Sequence, residues 1–301
     1  MSSVARDRVR LAELVALLSL GTDLGLGQPM EHMIRACLIA LRMGERLGLA
    51  ESERGVVYYS GLLAWVGCHT DAYEQAKWFG DDTTLKSDAH YHYDMGRVGA
   101  GDLVRAQACR RGTPLAARAR VGMAFVGDRL RALRALAENH YRATDELVER
   151  LGLGEDVRQG LRQTYERWDG KGAYGMKGEE IALSSRLINL TDVVEVFGRT
   201  GGVDAAIMVA RERSGTQFDP ELVDEFCEQA PMVLTELDQT PSWEAVIAPG
   251  GRRSRLSRDR STPQSPPRRS RRVARSPPSP RRGSPGALLA GASRGGRASG
   301  A

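Results

Sequence analysis

The sequence predicts an all-α domain, and three observations carry that reading. Apolar residues recur at i, i+3, i+4 and i+7 in one segment after another, the spacing of helices with one buried face. Helix-ending and helix-opening signals fall at the edges of those segments: Gly48, Gly152 and the pair Gly201–Gly202 close runs, and Asp219-Pro220 opens one. Nothing in the same stretches alternates apolar and polar residues with the period of two that a half-buried strand requires.

Taken in order, residues 8–20 place Leu11, Leu14, Val15 and Leu18 on one face of a first helix. A second is expected over 29–47. Pro29 suits a first helical position, and Met30, Ile34, Cys37, Leu38 and Leu41 share a face before Gly48. The third segment, 51–67, is almost continuously apolar toward its end, which places it in the middle of a bundle. Residues 80–127 are rich in Gly, Asp, His and Tyr and read as irregular, with short helices expected near 100–110 and 114–123. A long helix then runs from 127 to Gly152, followed by a short amphipathic one within 154–169. Leu187, Leu190, Val194 and Phe197 mark a helix over 183–199, and another follows the turn at Gly201 and Gly202. Asp219 caps the last helix and Pro220 occupies its first turn. The helical domain is therefore expected over 8–240.

Charge divides the chain more sharply than hydropathy does. The whole sequence carries a net charge of +5, yet residues 250–301 hold 14 arginines, one acid and no lysine. The remaining 249 residues are left with 29 basic and 37 acidic side chains. A net acidic globular part has no long-range attraction for a phosphate backbone, so any nucleic acid would be held only by the tail. That tail is almost entirely Arg, Ser, Pro, Gly and Ala with no aromatic residue, and it lacks the apolar surface to fold. A disordered extension, a nucleic-acid-binding arm and a GC-rich gene read out of frame all fit such a composition.

Four cysteines, Cys37, Cys68, Cys109 and Cys227, stand far apart with no CxxC pair, so they read as reduced thiols rather than a disulfide framework or a zinc knuckle. No apolar run reaches the ~18 residues of a membrane span, and no signal-peptide pattern opens the chain. A cytoplasmic location is expected.

The stretch 162–181, RQTYERWDGKGAYGMKGEEI, is glycine-rich and charged as if built around a ligand, but it contains no histidine. Glu166 and Asp169 are its candidate acid or base. Beside Arg167 and Lys171 they read equally as ion pairs that fix a loop. Lys171, Lys177 and Arg186 are candidate phosphate ligands, with ordinary surface charge as the alternative. A second group of candidate metal ligands, His69, Asp71, Asp88, His90, His92 and Asp94, lies just past the third helix.

Three collinear segments resemble the HD-GYP family of metal-dependent phosphohydrolases: HMIRACLIALRMGERLGL, ERWDGKGAYGMKGEEIALSSRLINLTDVVEVF and RERSGTQFDPELVDEF. The resemblance spans about residues 29–230 and implies an HD-domain-like helical bundle. In that family two or three iron or manganese ions, held by inward His and Asp side chains, bridge the hydroxide that attacks a phosphodiester. Residue by residue, the resemblance puts His32, His140 and Asp192 at ligand positions. It puts Ala64 and Trp65 at the name-giving His-Asp pair, Cys68 at a lysine near the phosphate, and Thr164 and Tyr165 at a histidine pair. The triplet Gly172-Ala173-Tyr174 replaces Gly-Tyr-Pro. An indole N–H donates but offers no lone pair to a metal, so the usual dinuclear cage is hard to build here. His32, His140 and Asp192 could still hold one iron, manganese or zinc ion; the alternative is a metal-free buried hydrogen-bonded cluster. The resemblance thus implies a phosphohydrolase with weakened or lost hydrolysis acting in nucleotide second-messenger signalling. The alternative is a non-catalytic module binding a nucleotide, a protein partner or a second copy of itself through the old cleft.

Overall fold

A computed structural model describes residues 10–71, 134–135 and 137–248, in which the helical periodicity of the sequence is realised as a series of helices with no β-strand among them. The candidate ligands Asp88, His90, His92 and Asp94, the short helices expected near 100–110 and 114–123, Cys109 and the 250–301 tail lie outside the described residues, as do the side chains of His69 and Asp71.

Helix α1 spans Leu11–Gly25 and α2 spans His32–Arg46. Pro29 lies before α2 rather than at its first position. The chain turns through Glu31, which takes a left-handed φ of 77°, and Asp23 of α1 accepts the Met33 amide at 3.0 Å. This change of entry also lifts Met30 off the predicted core face; it is 57% exposed. Gly48 closes α2 with φ 72°, as its position in the sequence suggested.

Helix α3, Glu51–Leu63, gives way to a 3-10 turn, Val66–Asp71. Helix α4 covers 137–151 and ends at Gly152 with φ 68°. Helix α5 is short, Glu155–Arg162. The segment α6, Leu183–Glu212, is two helices in line, broken at Gly202, whose φ of 77° and ψ of −174° only glycine adopts at little cost. Helix α7, Pro220–Gln239, has its first turn capped by Asp219, which accepts the Glu221 amide at 2.9 Å. One more helix, α8, Ser242–Ile247, was not anticipated; it packs on α1 and α2 through the fully buried Val246, so the helical unit runs past the expected boundary at 240.

The core forms around α2, which touches α1, α3, α6, α7 and α8. Ile34, Ile39, Met43, Leu62, Leu187, Leu190 and Phe226 are fully buried there. Truncating such a residue costs about 2–5 kcal/mol. The two stretches that carry the family resemblance in the second half also meet: the Trp168 and Asp169 amides donate to the Gln217 and Thr216 carbonyls at 3.3 and 2.9 Å. The glycine-rich loop is therefore pinned to the turn that starts α7.

Candidate functional site

His32 begins α2 and is buried against two carboxylates from α6. Its Nε2 lies 3.0 Å from Asp192 Oδ1 and its Nδ1 2.6 Å from Glu195 Oε2. Asp192 and Glu195 are three residues apart on one helix and so project from the same face. Both ring nitrogens can donate only when the imidazole is protonated. Burial alone would push the His32 pKa down, but the hydrogen bonds and charges of Asp192 and Glu195 outweigh it and raise the value to about 10. The structure therefore holds His32 as an imidazolium at neutral pH.

Glu195 is the hub. It also receives Arg35 Nε at 2.9 Å and Arg199 Nε at 3.3 Å. Arg35 reaches on to Asp238 at 2.7 Å, and Arg199 to the Gln28 carbonyl oxygen at 2.9 Å. Burial works against the Glu195 charge, yet His32 and the two arginines hold its pKa below the usual carboxylate value. Asp23, completely buried nearby, has no such set of cations; burial raises its pKa to about 7.

His140 on α4 has a different setting. It is fully buried among aromatic rings, with centroids 5.3 Å from Tyr165, 5.7 Å from Tyr141 and 6.2 Å from Trp65. Its Nδ1 is 3.9 Å from Cys68 Sγ, which in turn lies 3.4 Å from the Tyr165 hydroxyl. Burial lowers its pKa to about 4, so this ring is neutral, and its Nε2 has no hydrogen-bond partner among the described residues. Trp65 packs with Leu26, Met33, Ala64, Cys68 and Ile188 in a small apolar cluster.

Among the described residues no three His, Cys, Asp or Glu side chains come together as a group that could hold a metal ion. His32 and Asp192 are adjacent, but His140 is not assembled with them into the single three-ligand set expected from the sequence. The physical reason is the neighbourhood of each ring: carboxylates take both nitrogens of His32, and aromatic side chains surround His140. No iron, manganese or zinc centre of the kind that the resemblance implies is shown among the described residues.

The glycine-rich loop holds the other candidates. Glu166 is buried, and its two oxygens accept the Tyr174 amide at 2.8 Å and the Met176 amide at 3.1 Å. Burial raises its pKa, with those amides opposing the shift. Asp169 accepts Arg167 Nε at 3.2 Å and the Lys171 amide at 3.1 Å, and Lys171 Nζ lies 3.4 Å away. Partial burial opposes its charge, but Arg167 and Lys171 prevail and its pKa is lowered. Both carboxylates thus shape the loop. Gly172 lets it close, because a Cβ there would sit 2.6 Å from Glu166 Oε2.

Of the three candidate phosphate ligands, Arg186 is committed: Nη1 donates to Asp219 Oδ2 at 2.6 Å, and its guanidinium lies over the Trp168 ring at 5.7 Å. Lys171 and Lys177 remain exposed. Sequence reasoning missed Glu195, Arg35, Arg199 and Asp23. The D-x-x-E-x-x-x-R spacing of residues 192–199 was the available signal, since i, i+3 and i+7 share a helix face.

No protein-family model matches the chain. It is 28% identical over 251 residues to the 3′3′-cGAMP-specific phosphodiesterase 3 of Vibrio cholerae serotype O1, an alignment covering 81% of this chain and 54% of that protein. Among solved structures it is similar to a cyclic GMP-AMP specific phosphodiesterase of V. cholerae, with a TM-score of 0.58 and 26% identity, covering 79% of this chain and 53% of the other. The chain thus spans about half the length of the phosphodiesterases it matches, and within that half it shares their helical fold.

Proposed function

We propose that this chain is a diverged member of the HD-GYP family that recognises a cyclic dinucleotide and whose hydrolysis is weakened or lost. Similarity to a 3′3′-cGAMP-specific phosphodiesterase over most of the chain supports the ligand class. One observation carries the rest of the reading: His32 has both ring nitrogens in hydrogen bonds to carboxylates instead of presenting a lone pair. Trp65 in an apolar cluster at a position where the resemblance expects a metal ligand supports it further. The purified full chain is expected to bind 3′3′-cGAMP in a calorimetric titration. With iron(II) or manganese(II) supplied anaerobically, turnover is expected below about 0.01 s⁻¹, far under the ~10 s⁻¹ of a median enzyme. Failure to bind refutes the reading of the ligand.

A second reading, an active phosphodiesterase, has its own support. The Nε2 of His140 is a buried nitrogen with no hydrogen-bond partner among the described residues, and His32 Nε2 and Asp192 Oδ1 stand 3.0 Å apart, the separation of two ligands at about 2.1 Å on one ion when they subtend a right angle. Fast, metal-dependent turnover abolished in His140→Ala establishes that reading instead.

A further inference from the structure

A cleft of roughly 400 Å³ opens beside the glycine-rich loop, outside the His32 network. One wall is α5 and the turn after it, with Gln159, Arg162 and Gln163; facing them are Tyr141 of α4 and Tyr174 and Met176 of the loop. Its volume is near the low end of the ~300–1,000 Å³ typical of small-molecule sites, which suits a single nucleoside better than a whole cyclic dinucleotide.

The lining indicates what would fit. Tyr141 and Tyr174 are stacked, with centroids 5.9 Å apart and planes 28° from parallel. Tyr174 is still 45% exposed, so part of its ring surface is available to another ring. The Tyr174 amide is anchored on buried Glu166, which holds the backbone of that residue in place. The charges in the cleft are cancelled locally: Arg162 is paired with Asp145 through Nε, 3.1 Å from each carboxylate oxygen, and Glu155 with Arg158 at 3.2 Å. A neutral, aromatic-walled cleft favours a base over a phosphate. Two amides supply hydrogen bonds to a base edge. The Gln163 side-chain oxygen already accepts the Ala182 amide, leaving its NH₂ to donate, whereas the exposed side-chain amide of Gln159 makes no hydrogen bond among the described residues and can do both.

We propose that this cleft is a purine subsite, in which one base of the bound nucleotide stacks on Tyr174 and offers its edge to Gln159 and Gln163. This rests on the cyclic-dinucleotide reading above for the identity of the nucleotide, but not for the chemistry of the cleft. Tyr141 joins the two regions, since its ring lies 5.7 Å from His140 and 5.9 Å from Tyr174.

The test uses the full chain and two probes, AMP followed by saturation-transfer NMR and 3′3′-cGAMP followed by calorimetry. Stacking of a base on an aromatic side chain is worth about 1–3 kcal/mol, so Tyr174→Ala should weaken binding of both probes roughly 5- to 150-fold. Tyr174→Phe, which keeps the ring, should bind like the parent, and Gln159→Ala should lose affinity for AMP. Ribose 5-phosphate should not compete. Unchanged urea midpoints show that the variants are folded, as expected for a residue this exposed. If Tyr174→Ala binds both probes as the parent does, or ribose 5-phosphate competes as well as AMP, the subsite is overturned. Tight 3′3′-cGAMP binding that ignores Tyr174 overturns the subsite and leaves the proposed function standing. Tyr174-dependent AMP binding with no affinity for 3′3′-cGAMP supports the purine site and overturns the ligand proposed above.

Discussion

Replacing Glu195 with glutamine keeps the shape of the buried hub and removes its charge. The imidazolium of His32 is then answered by the charge of Asp192 alone, and the acceptor that Arg35 and Arg199 share loses its charge. Removing one partner of a buried ion pair costs about 3–5 kcal/mol. At ~2–4 °C per kcal/mol for a domain of this size, Glu195→Gln should lower the melting midpoint by about 6–20 °C at neutral pH. The pH profile tests the same network. Folded His32 keeps its proton to about pH 10, whereas an unfolded histidine releases it near ~6.5. Between those values the unfolded chain binds fewer protons, so this contribution is complete below about pH 6.5 and is lost as pH rises toward 10, with a ceiling of about 5 kcal/mol. Asp23, whose folded pKa of about 7 is raised by burial, adds a fall of the same sign below that pH. The window from about 7 to 10 therefore isolates His32 from Asp23. Urea unfolding followed by circular dichroism across that window should show a decline in the parent that shrinks in Glu195→Gln. Superimposable profiles, or a midpoint shift inside experimental error, refute the claim that Glu195 sustains the imidazolium.

Other parts of the site give separate predictions. In Gly67→Ala the new methyl group would sit 2.6 Å from both Nδ1 and the carbonyl oxygen of His140, so overpacking should cost about 1–3 kcal/mol in urea unfolding. Arg186→Ala should destabilise the chain by about 1.5–3 kcal/mol, because it strips a charged hydrogen bond from Asp219 at the start of α7. Lys171→Ala should change stability by less than about 0.5 kcal/mol, since its ammonium is solvent-exposed; a large loss there would mean that its pairing with Asp169 holds the loop.

The fold was legible because its causes are local. Periodicity located the helices, and glycines adopting left-handed φ at Gly48, Gly152 and Gly202 closed or broke them where the sequence placed the stops. The start of α2 was not legible. Pro29 is a good first helical residue in isolation, but Asp23, on the previous helix, captures the Met33 amide and fixes the entry three residues later. The pairing of Arg186 was not legible for a related reason: its partner Asp219 is 33 residues away, and no local pattern announces it. His32 and Asp192 were found only through the resemblance, whereas the network that closes on them depends on where α2 meets α6.

The two histidines differ because their neighbours do, and this sets how far each half of the site can change. Around His32, three cationic groups, His32, Arg35 and Arg199, interlock with Asp192, Glu195 and Asp238, so deleting any buried member leaves another charge with one counterpart fewer. Such a network resists single substitutions. Around His140 the neighbours are neutral rings and a thiol, whose packing tolerates swaps that conserve volume. Sequence drift is therefore expected to accumulate at Trp65, Cys68 and Tyr165 long before it reaches Glu195. Trp65→Phe should cost less stability than Glu195→Gln although the indole is the larger group, and the reverse order would show that the aromatic box, not the ionic network, holds the two halves of the site in register.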